Sequence, residues 1–275
     1  MMYNSASHAK VNLFLNIVGR EQDNYHSLQS FFCLLNLTDN ITIKHATNTI
    51  CIIDRDGIID NVVYKAVNYL NKLNNVNKTV NIRIKKNIPI SSGLGGGSSN
   101  AATVLKLLEK LYSFPKLDAE KLKEIANNIG ADVPFFYINK NAFVEGIGEK
   151  IMPMKLNMKI FILLINPGIK VITKDIFSSI SYNFSSRIIC NKKSVINEIF
   201  NGKNDLEKYV RRKYTIVDDL LNFIKMQQNC LVSRMSGSGS TCFGIFEKKE
   251  DALNARKEAE KIYGNQLIHC EKLEI

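Results

Sequence analysis

The densest chemistry in the sequence lies between Pro89 and Asn100. Gly93, Gly95, Gly96 and Gly97 alternate or run together around Leu94, with hydroxyls at Ser92, Ser98 and Ser99. Successive glycines let backbone N–H groups converge without Cβ obstruction. A helical pattern follows at Ala101, Val104, Leu105, Leu108 and Leu111, and a helix start near Ser99 would add its unpaired amides and positive dipole end. The combination suits a di- or triphosphate, with Ser98 or Ser99 offering a hydroxyl to a phosphate or a metal ion. It is neither a Walker loop nor a dinucleotide fingerprint, because both glycine spacings are absent. A second glycine loop, Gly237, Ser238 and Gly239, fits an anion-binding backbone nest or simply a tight turn. Lys10 and Asn12 sit two apart on a strand pattern, so their side chains share a face. A lysine opposite an apolar face is ordinarily exposed. Asp132 follows a helix pattern and precedes the apolar Val133 to Phe136, where it could be a helix-end contact or an acid/base. Tyr25 and His26 could stack on and hydrogen-bond a ring, or be a loop and core pair.

Elements must position these groups. Residues 9–18 alternate with Val11, Leu13, Leu15 and Ile17 on one side and Lys10, Asn12, Phe14 and Asn16 on the other, as a half-buried strand does. An apolar stretch over 28–37, then strands at 41–44 and 81–84, are expected. Apolar spacing predicts a helix from Val62 to Leu73. Asp118 caps the next helix, with Gly130 at its end. The second half opens on a buried strand at 160–165. Helices are expected over 193–200, 204–210, 215–226 and 250–262, with strands over 242–246 and 266–269.

Composition sets limits. The 275 residues carry a net charge of +11, which favours anionic partners: nucleic acid, acidic lipid or phosphorylated small molecules. The excess divides evenly along the chain and forms no basic arm, which argues against a nucleic-acid binder. Six cysteines form no C-x-x-C pair, so reduced, mostly buried thiols are expected rather than structural zinc. No membrane-length apolar run occurs. With a charged, strand-like start that does not read as a secretory signal or transit peptide, a cytoplasmic protein of a bacterium is expected.

The whole set resembles the 4-diphosphocytidyl-2-C-methyl-D-erythritol kinases, within the superfamily of galactokinase, homoserine kinase, mevalonate kinase and phosphomevalonate kinase. The likeness runs nearly end to end. It is carried by Ala9 to Leu13, Asp23 to His26, Pro89 to Ala102, Gly130 to Phe136, and Gly146 to Glu149. It continues through Pro167 and Gly168 with Thr173 and Phe177, Asn204 to Glu207, and Met235 to Gly239. Asn24 stands where glycine is usual, and Ser7 and His8 where Ala-Pro is common.

The resemblance implies an α+β, two-domain small-molecule kinase fold. Residues 1–155 would form an ATP-binding domain like ribosomal protein S5 domain 2. Residues 156–275 would form a ferredoxin-like α/β sandwich that binds substrate. It implies ATP-dependent phosphorylation of the 2-hydroxyl of 4-diphosphocytidyl-2-C-methyl-D-erythritol, a step of non-mevalonate isoprenoid precursor synthesis, with ATP and Mg²⁺. The ATP phosphates would lie on Gly93 to Ser99, between Pro89 and Asn100, with Asn61 and Lys86 near the adenine. No protein cluster holds the metal, which Ser98 or Ser99 would meet through ATP. The cytosine would stack between Tyr25 and Phe177 while His26 reads its polar edge. Asn12 and Thr173 would hold the methylerythritol, with Gly237 to Gly239 also on the substrate. Asp132 would take the hydroxyl proton, and Lys10 would stabilise developing charge. The partner is then a small cytidyl diphosphate, not nucleic acid or membrane. The glycine loop alone also suits a homoserine- or mevalonate-type kinase, or a non-catalytic nucleotide-binding protein.

Overall fold

Two long strands organise the chain: β1 (Met2–Arg20) and β2 (His26–His45). The computed structural model describes residues 1–21, 25–54, 61–180, 183–264 and 266–275; Asp23 and Asn24 lie outside them. The two apolar segments expected between residues 28 and 44 are one strand. In β1 the expected wet face is absent. Every residue from Ala9 to Ile17 is buried, Lys10, Asn12 and Asn16 included. Lys10, Asn12 and the Asn16 amide nitrogen meet protein partners instead of water, whereas Asn16 Oδ1 is buried without a hydrogen bond among the described residues.

The chain packs as two units, and β1 and β2 each contribute to both. The first comprises residues 1–9, 36–88 and 95–140. Here β3 (Ile50–Ile53) pairs parallel with β4 (Val80–Lys85), which pairs antiparallel with the end of β2. A parallel pair needs a long connection, and α1 (Asn61–Leu73) lies within it. Its buried Val63, Ala66, Val67 and Leu70 face α2 (Gly96–Tyr112). Asp118 caps α3 (Ala119–Asn128) by accepting from Lys121 N, as expected. Gly130 follows with its N–H on Ile125 O, without a left-handed φ. Val133 to Phe136, read as an apolar stretch, begin α4 (Val133–Ile138), with a proline in its first turn. There the missing N–H costs nothing.

The second unit comprises residues 10–35, 89–94 and 141–275. Strand β5 (Ala142–Gly146) pairs with the start of β2 and with β6 (Lys150–Pro153). The apolar β7 (Lys159–Asn166) is internal to a second sheet. Helices α5 (Thr173–Ser178), α6 (Lys192–Asn201), α7 (Glu207–Lys213) and α8 (Thr215–Lys225) follow. Then come β8 (Val232–Met235), β9 (Cys242–Phe246), α9 (Lys249–Tyr263) and β10 (Leu267–Glu274). The sheet order is β10-β7-β9-β8, antiparallel throughout, and α8 and α9 pack on it. The expected helix at 204–210 starts only at Glu207, because Asn204 serves the turns around it. Both units mix helices with largely antiparallel sheet, the expected α+β class.

Candidate active site

In the first unit the glycine run becomes the start of α2. The helix begins at Gly96, three residues earlier than the Ser99 expected, and Gly95 at its N-cap has a left-handed φ of 71°. No side chain caps this end and no acidic residue lies in its first turn. The first turn of α2 therefore supplies no anion of its own. A Cβ on Gly97 would meet nothing within 4 Å, so a ligand can approach the backbone closely there. Ser99 is buried and lies 2.7 Å from the Ser7 hydroxyl, which also reaches Asn100 Oδ1 at 3.0 Å. Ser98 is half-buried, which leaves it the better placed of the two serines for a ligand. An uncapped turn, an open glycine and one hydroxyl together fit a phosphate group. Among the described residues no group of three or more His, Cys, Asp or Glu could hold a metal ion.

Lys86 enters this region from behind. Its ammonium lies 2.5 Å from Asp39 Oδ2, and both side chains are buried. Asp39 Oδ1 accepts from the N–H groups of Asn87 and Ile88 at 2.8 and 2.9 Å. A Cβ on Gly96 would sit 3.3 Å from Lys86 Nζ, so the cation abuts the first residue of α2. Asn61 is the exposed first residue of α1. Asp132 is half-buried just before α4 and makes no side-chain cap to that helix.

In the second unit the structure gathers Lys10, Asn12, Gly93 and the second glycine loop. Lys10 Nζ donates to Asn12 Oδ1 at 2.5 Å and lies 4.3 Å from the Phe32 ring centroid. Asn12 Nδ2 donates to Ser30 Oγ at 3.1 Å, and Ser30 donates onward to Phe14 O at 2.5 Å. This relay fixes the amide with its oxygen toward the ammonium. Asn12 N donates to Ser236 Oγ at 3.2 Å, and Ser236 Oγ donates to Gly93 O at 3.0 Å. Gly93 has φ 77°, and a Cβ there would collide with the carbonyl oxygen of Ser236. Both features demand glycine. Asn204 Nδ2 supports the second loop through Met235 O at 2.8 Å and Gly237 O at 2.7 Å. Thr173 and Ser238 share a hydroxyl contact of 2.8 Å. Between an anion nest and a tight turn, Gly237 to Gly239 is a turn packed on the Gly93 segment and joined to Thr173.

His26 and Phe177 are also brought together, their ring centroids 5.5 Å apart and tilted by 40°. Tyr25 is exposed beside them in sequence. Burial first, and then the charge of Arg20, hold the His26 imidazole below its ordinary range. A neutral ring can donate at one nitrogen and accept at the other.

Comparison with known proteins decides the family. Residues 61–140 match the GHMP kinases N terminal domain, and residues 193–265 the GHMP kinases C terminal domain. A 4-diphosphocytidyl-2-C-methyl-D-erythritol kinase of Clostridioides difficile is 37% identical over 94% of this chain and 91% of its own length. One from Wolbachia pipientis is 35% identical over 90% of each. The chain belongs to the 4-diphosphocytidyl-2-C-methyl-D-erythritol kinase family. A crystal structure of a 4-(cytidine 5'-diphospho)-2C-methyl-D-erythritol kinase superposes with a TM-score of 0.80 at 28% identity, covering 98% of both chains. Homoserine kinase from Cytophaga hutchinsonii shares the fold, with a TM-score of 0.69 at 15% identity.

Sequence reasoning on this 4-diphosphocytidyl-2-C-methyl-D-erythritol kinase family member missed several residues that shape its site. Asp39 and Ser30 hold Lys86 and Asn12 from positions distant in sequence. Ser236, which holds Gly93, and Asn204 were visible only as parts of recognisable motifs. The role of Asn204 depends on two carbonyls about thirty residues away, and no local pattern announces that.

Proposed function

We propose that this kinase transfers the γ-phosphoryl group of ATP to the 2-hydroxyl of 4-diphosphocytidyl-2-C-methyl-D-erythritol. The observation that carries this reading is full-length similarity to relatives bearing that name. The uncapped, glycine-lined start of α2 supports it as a place for the nucleotide phosphates, with the Ser98 hydroxyl nearest to hand. A magnesium ion arriving with ATP would offset phosphate charge. Phosphoryl transfer asks a protein mainly for positioning and charge stabilisation. Asp132 takes up the hydroxyl proton or orients that hydroxyl. Lys10, its ammonium directed by Asn12, stabilises negative charge as it develops.

Tyr25 and Phe177 offer faces for the cytosine, and neutral His26 can read its edge. A pocket built on such polar contacts rejects ligands that leave them unpaired. Thr173 and the Gly237 to Gly239 turn hold the remainder of the substrate, while Asn61 and Lys86 serve the nucleotide. On this reading residues 1–155 are mainly the ATP half and 156–275 the substrate half. The product would feed non-mevalonate isoprenoid precursor synthesis in a bacterial cytoplasm. Among the described residues no helix is long and apolar enough to cross a membrane.

The test is ADP release with the cytidyl substrate, homoserine and mevalonate offered separately. Turnover is expected only with the first, and Asp132→Ala should abolish most of it while ATP still binds. Turnover with homoserine or mevalonate alone, or full activity in Asp132→Ala, would overturn the reading.

A further inference from the structure

Gln29 is buried on β2 and pairs its side-chain amide with a segment remote in sequence. Its Nε2 donates to Ile188 O at 3.1 Å, and its Oε1 accepts from Ile188 N at 2.8 Å. The side chain thus pairs with a backbone as a neighbouring strand would. The remaining Nε2 proton goes to Glu145 Oε1 at 2.6 Å, on the residue directly opposite Gln29 in β5. Ile188 lies in a mostly exposed stretch, 183–190, with neither helix nor strand. Such a stretch has few contacts of its own to hold it. It is also fastened at Ser185, whose N–H meets Ile17 O at 2.8 Å and whose hydroxyl meets Asp205 Oδ2 at 2.7 Å.

Two consequences bear on the substrate. The connection from β7 to α6 carries α5, and therefore Phe177, which faces His26. It is fastened at its start by Asn166, which donates to Thr241 Oγ1 at 2.9 Å, and near its end by Gln29. Arg187, adjacent to the clamped Ile188, has a side chain 59% exposed. Its Nη2 nevertheless donates to Ser27 Oγ at 3.3 Å, at the start of β2 on the face that Ser27 shares with Gln29. Glu145 lies 4.0 Å from its Nη1, a distance that only partly offsets the guanidinium.

We infer that Gln29 is a positioning residue for the cytidyl diphosphate, acting by clamping Ile188 so that the segment following α5 is fixed, which keeps Phe177 at His26 and holds Arg187 at the start of β2, on the Ser27 face, as a contact for the anionic diphosphate. The inference rests on the proposed function, because it needs a substrate with an aromatic base and an anionic diphosphate.

The experiment is steady-state kinetics of Gln29→Leu and Arg187→Ala, varying ATP and the cytidyl substrate separately, with thermal unfolding of each variant. Gln29→Leu should raise KM for the cytidyl substrate roughly tenfold, the loss expected from one or two buried hydrogen bonds. Its kcat and its KM for ATP should stay within about twofold, a split that mere loss of folded protein would not produce. Arg187→Ala should raise the same KM about threefold and flatten its rise with salt, as removal of an exposed cation does. An unchanged cytidyl KM in Gln29→Leu would overturn the inference, as would equal losses in kcat and both KM values. Should Gln29→Leu fail to fold, Arg187→Ala decides alone, and a wild-type KM there overturns it. If the unmodified enzyme does not turn over the cytidyl substrate, the proposed function fails rather than the clamp.

Discussion

The Asp39 and Lys86 pair permits a quantitative test of how the start of α2 is supported. The pair is closed at 2.5 Å with side chains 0% and 6% exposed, so solvent screening does little to weaken it. Removing one partner of such a pair leaves a buried charge uncompensated, at a cost of about 3–5 kcal/mol. The two members are not equivalent. Asp39→Asn keeps an oxygen for the N–H groups of Asn87 and Ile88 but strands the ammonium, and should cost about 3 kcal/mol. Asp39→Ala also abandons both N–H groups, each worth roughly 1–3 kcal/mol when buried and unmet, and should be worse. Lys86→Met leaves a carboxylate that still accepts two backbone bonds, so roughly 2–3 kcal/mol is expected. The double variant Asp39→Asn with Lys86→Met has no buried charge and retains the backbone acceptor. It should lie within about 1–2 kcal/mol of the parent, well short of the sum of the singles. Denaturant unfolding of the four proteins measures the coupling. A cost below about 1 kcal/mol for Asp39→Asn, or strict additivity, would refute the claim that this pair is a coupled buried unit. The same double variant separates support from function. If Lys86 also serves the nucleotide, KM for ATP rises although stability has returned; if it only supports the fold, KM returns with stability.

Two glycines predict opposite outcomes. Gly93→Ala places a methyl group into the carbonyl oxygen of Ser236 at a left-handed φ of 77°. It should destabilise the protein by about 3 kcal/mol or more, seen as a lower midpoint of thermal unfolding. Gly97→Ala adds a methyl group to open space within α2. It should leave stability unchanged or raised by up to about 1 kcal/mol, while raising KM for ATP. His26 gives a pH test. Its folded-state pKa is lowered from 6.5 by burial and then by Arg20, so the unfolded chain holds the extra proton more readily. Stability should therefore fall as pH drops through about 6.5, and KM for the cytidyl substrate should rise once the ring gains its proton. His26→Gln should lack both changes.

Local signals in the sequence were dependable where the physics is local. The 3.6-residue spacing in Val63, Ala66, Val67 and Leu70 places α1, the Asp118 cap starts α3, and β9 falls at the expected Cys242–Phe246. The glycine run marks a helix start because glycine removes steric limits within a few residues. Failures arise where partners are distant. The β1 alternation predicts a wet face, but Asn16 Nδ2 meets Glu198 at 3.0 Å and Asn12 N meets Ser236. Those partners lie in the last third of the chain. The break expected between Leu37 and Ile41 does not occur, because Asn40 begins a ladder with Lys85 of β4. The clamp of Gln29 on Ile188 has no sequence signature, since a glutamine on a strand is ordinarily surface.

The same reasoning alters what the net charge of +11 means. Counting cations as surface attraction for anions presumes that they are in water, yet Lys10, Lys86 and Arg234 are buried. Each is accommodated differently. Lys86 has a carboxylate. Lys10 meets an amide oxygen and an aromatic face, those of Asn12 and Phe32. Arg234 is surrounded by carbonyls, donating to Leu13 O, to Ile199 O at 3.0 Å and to Gly202 O at 2.5 Å. Burial lowers its pKa to about 10, so it remains charged at neutral pH. There it ties β1, α6 and β8 together rather than recruiting a ligand. A buried cation can thus neutralise, anchor or wait for substrate, and its partners determine which. Of these three, Lys10 alone shares a hydrogen-bonded relay, through Asn12 and Ser236, with the segment around Gly93. That connection, rather than net charge, is what supports the proposal that it serves the chemistry.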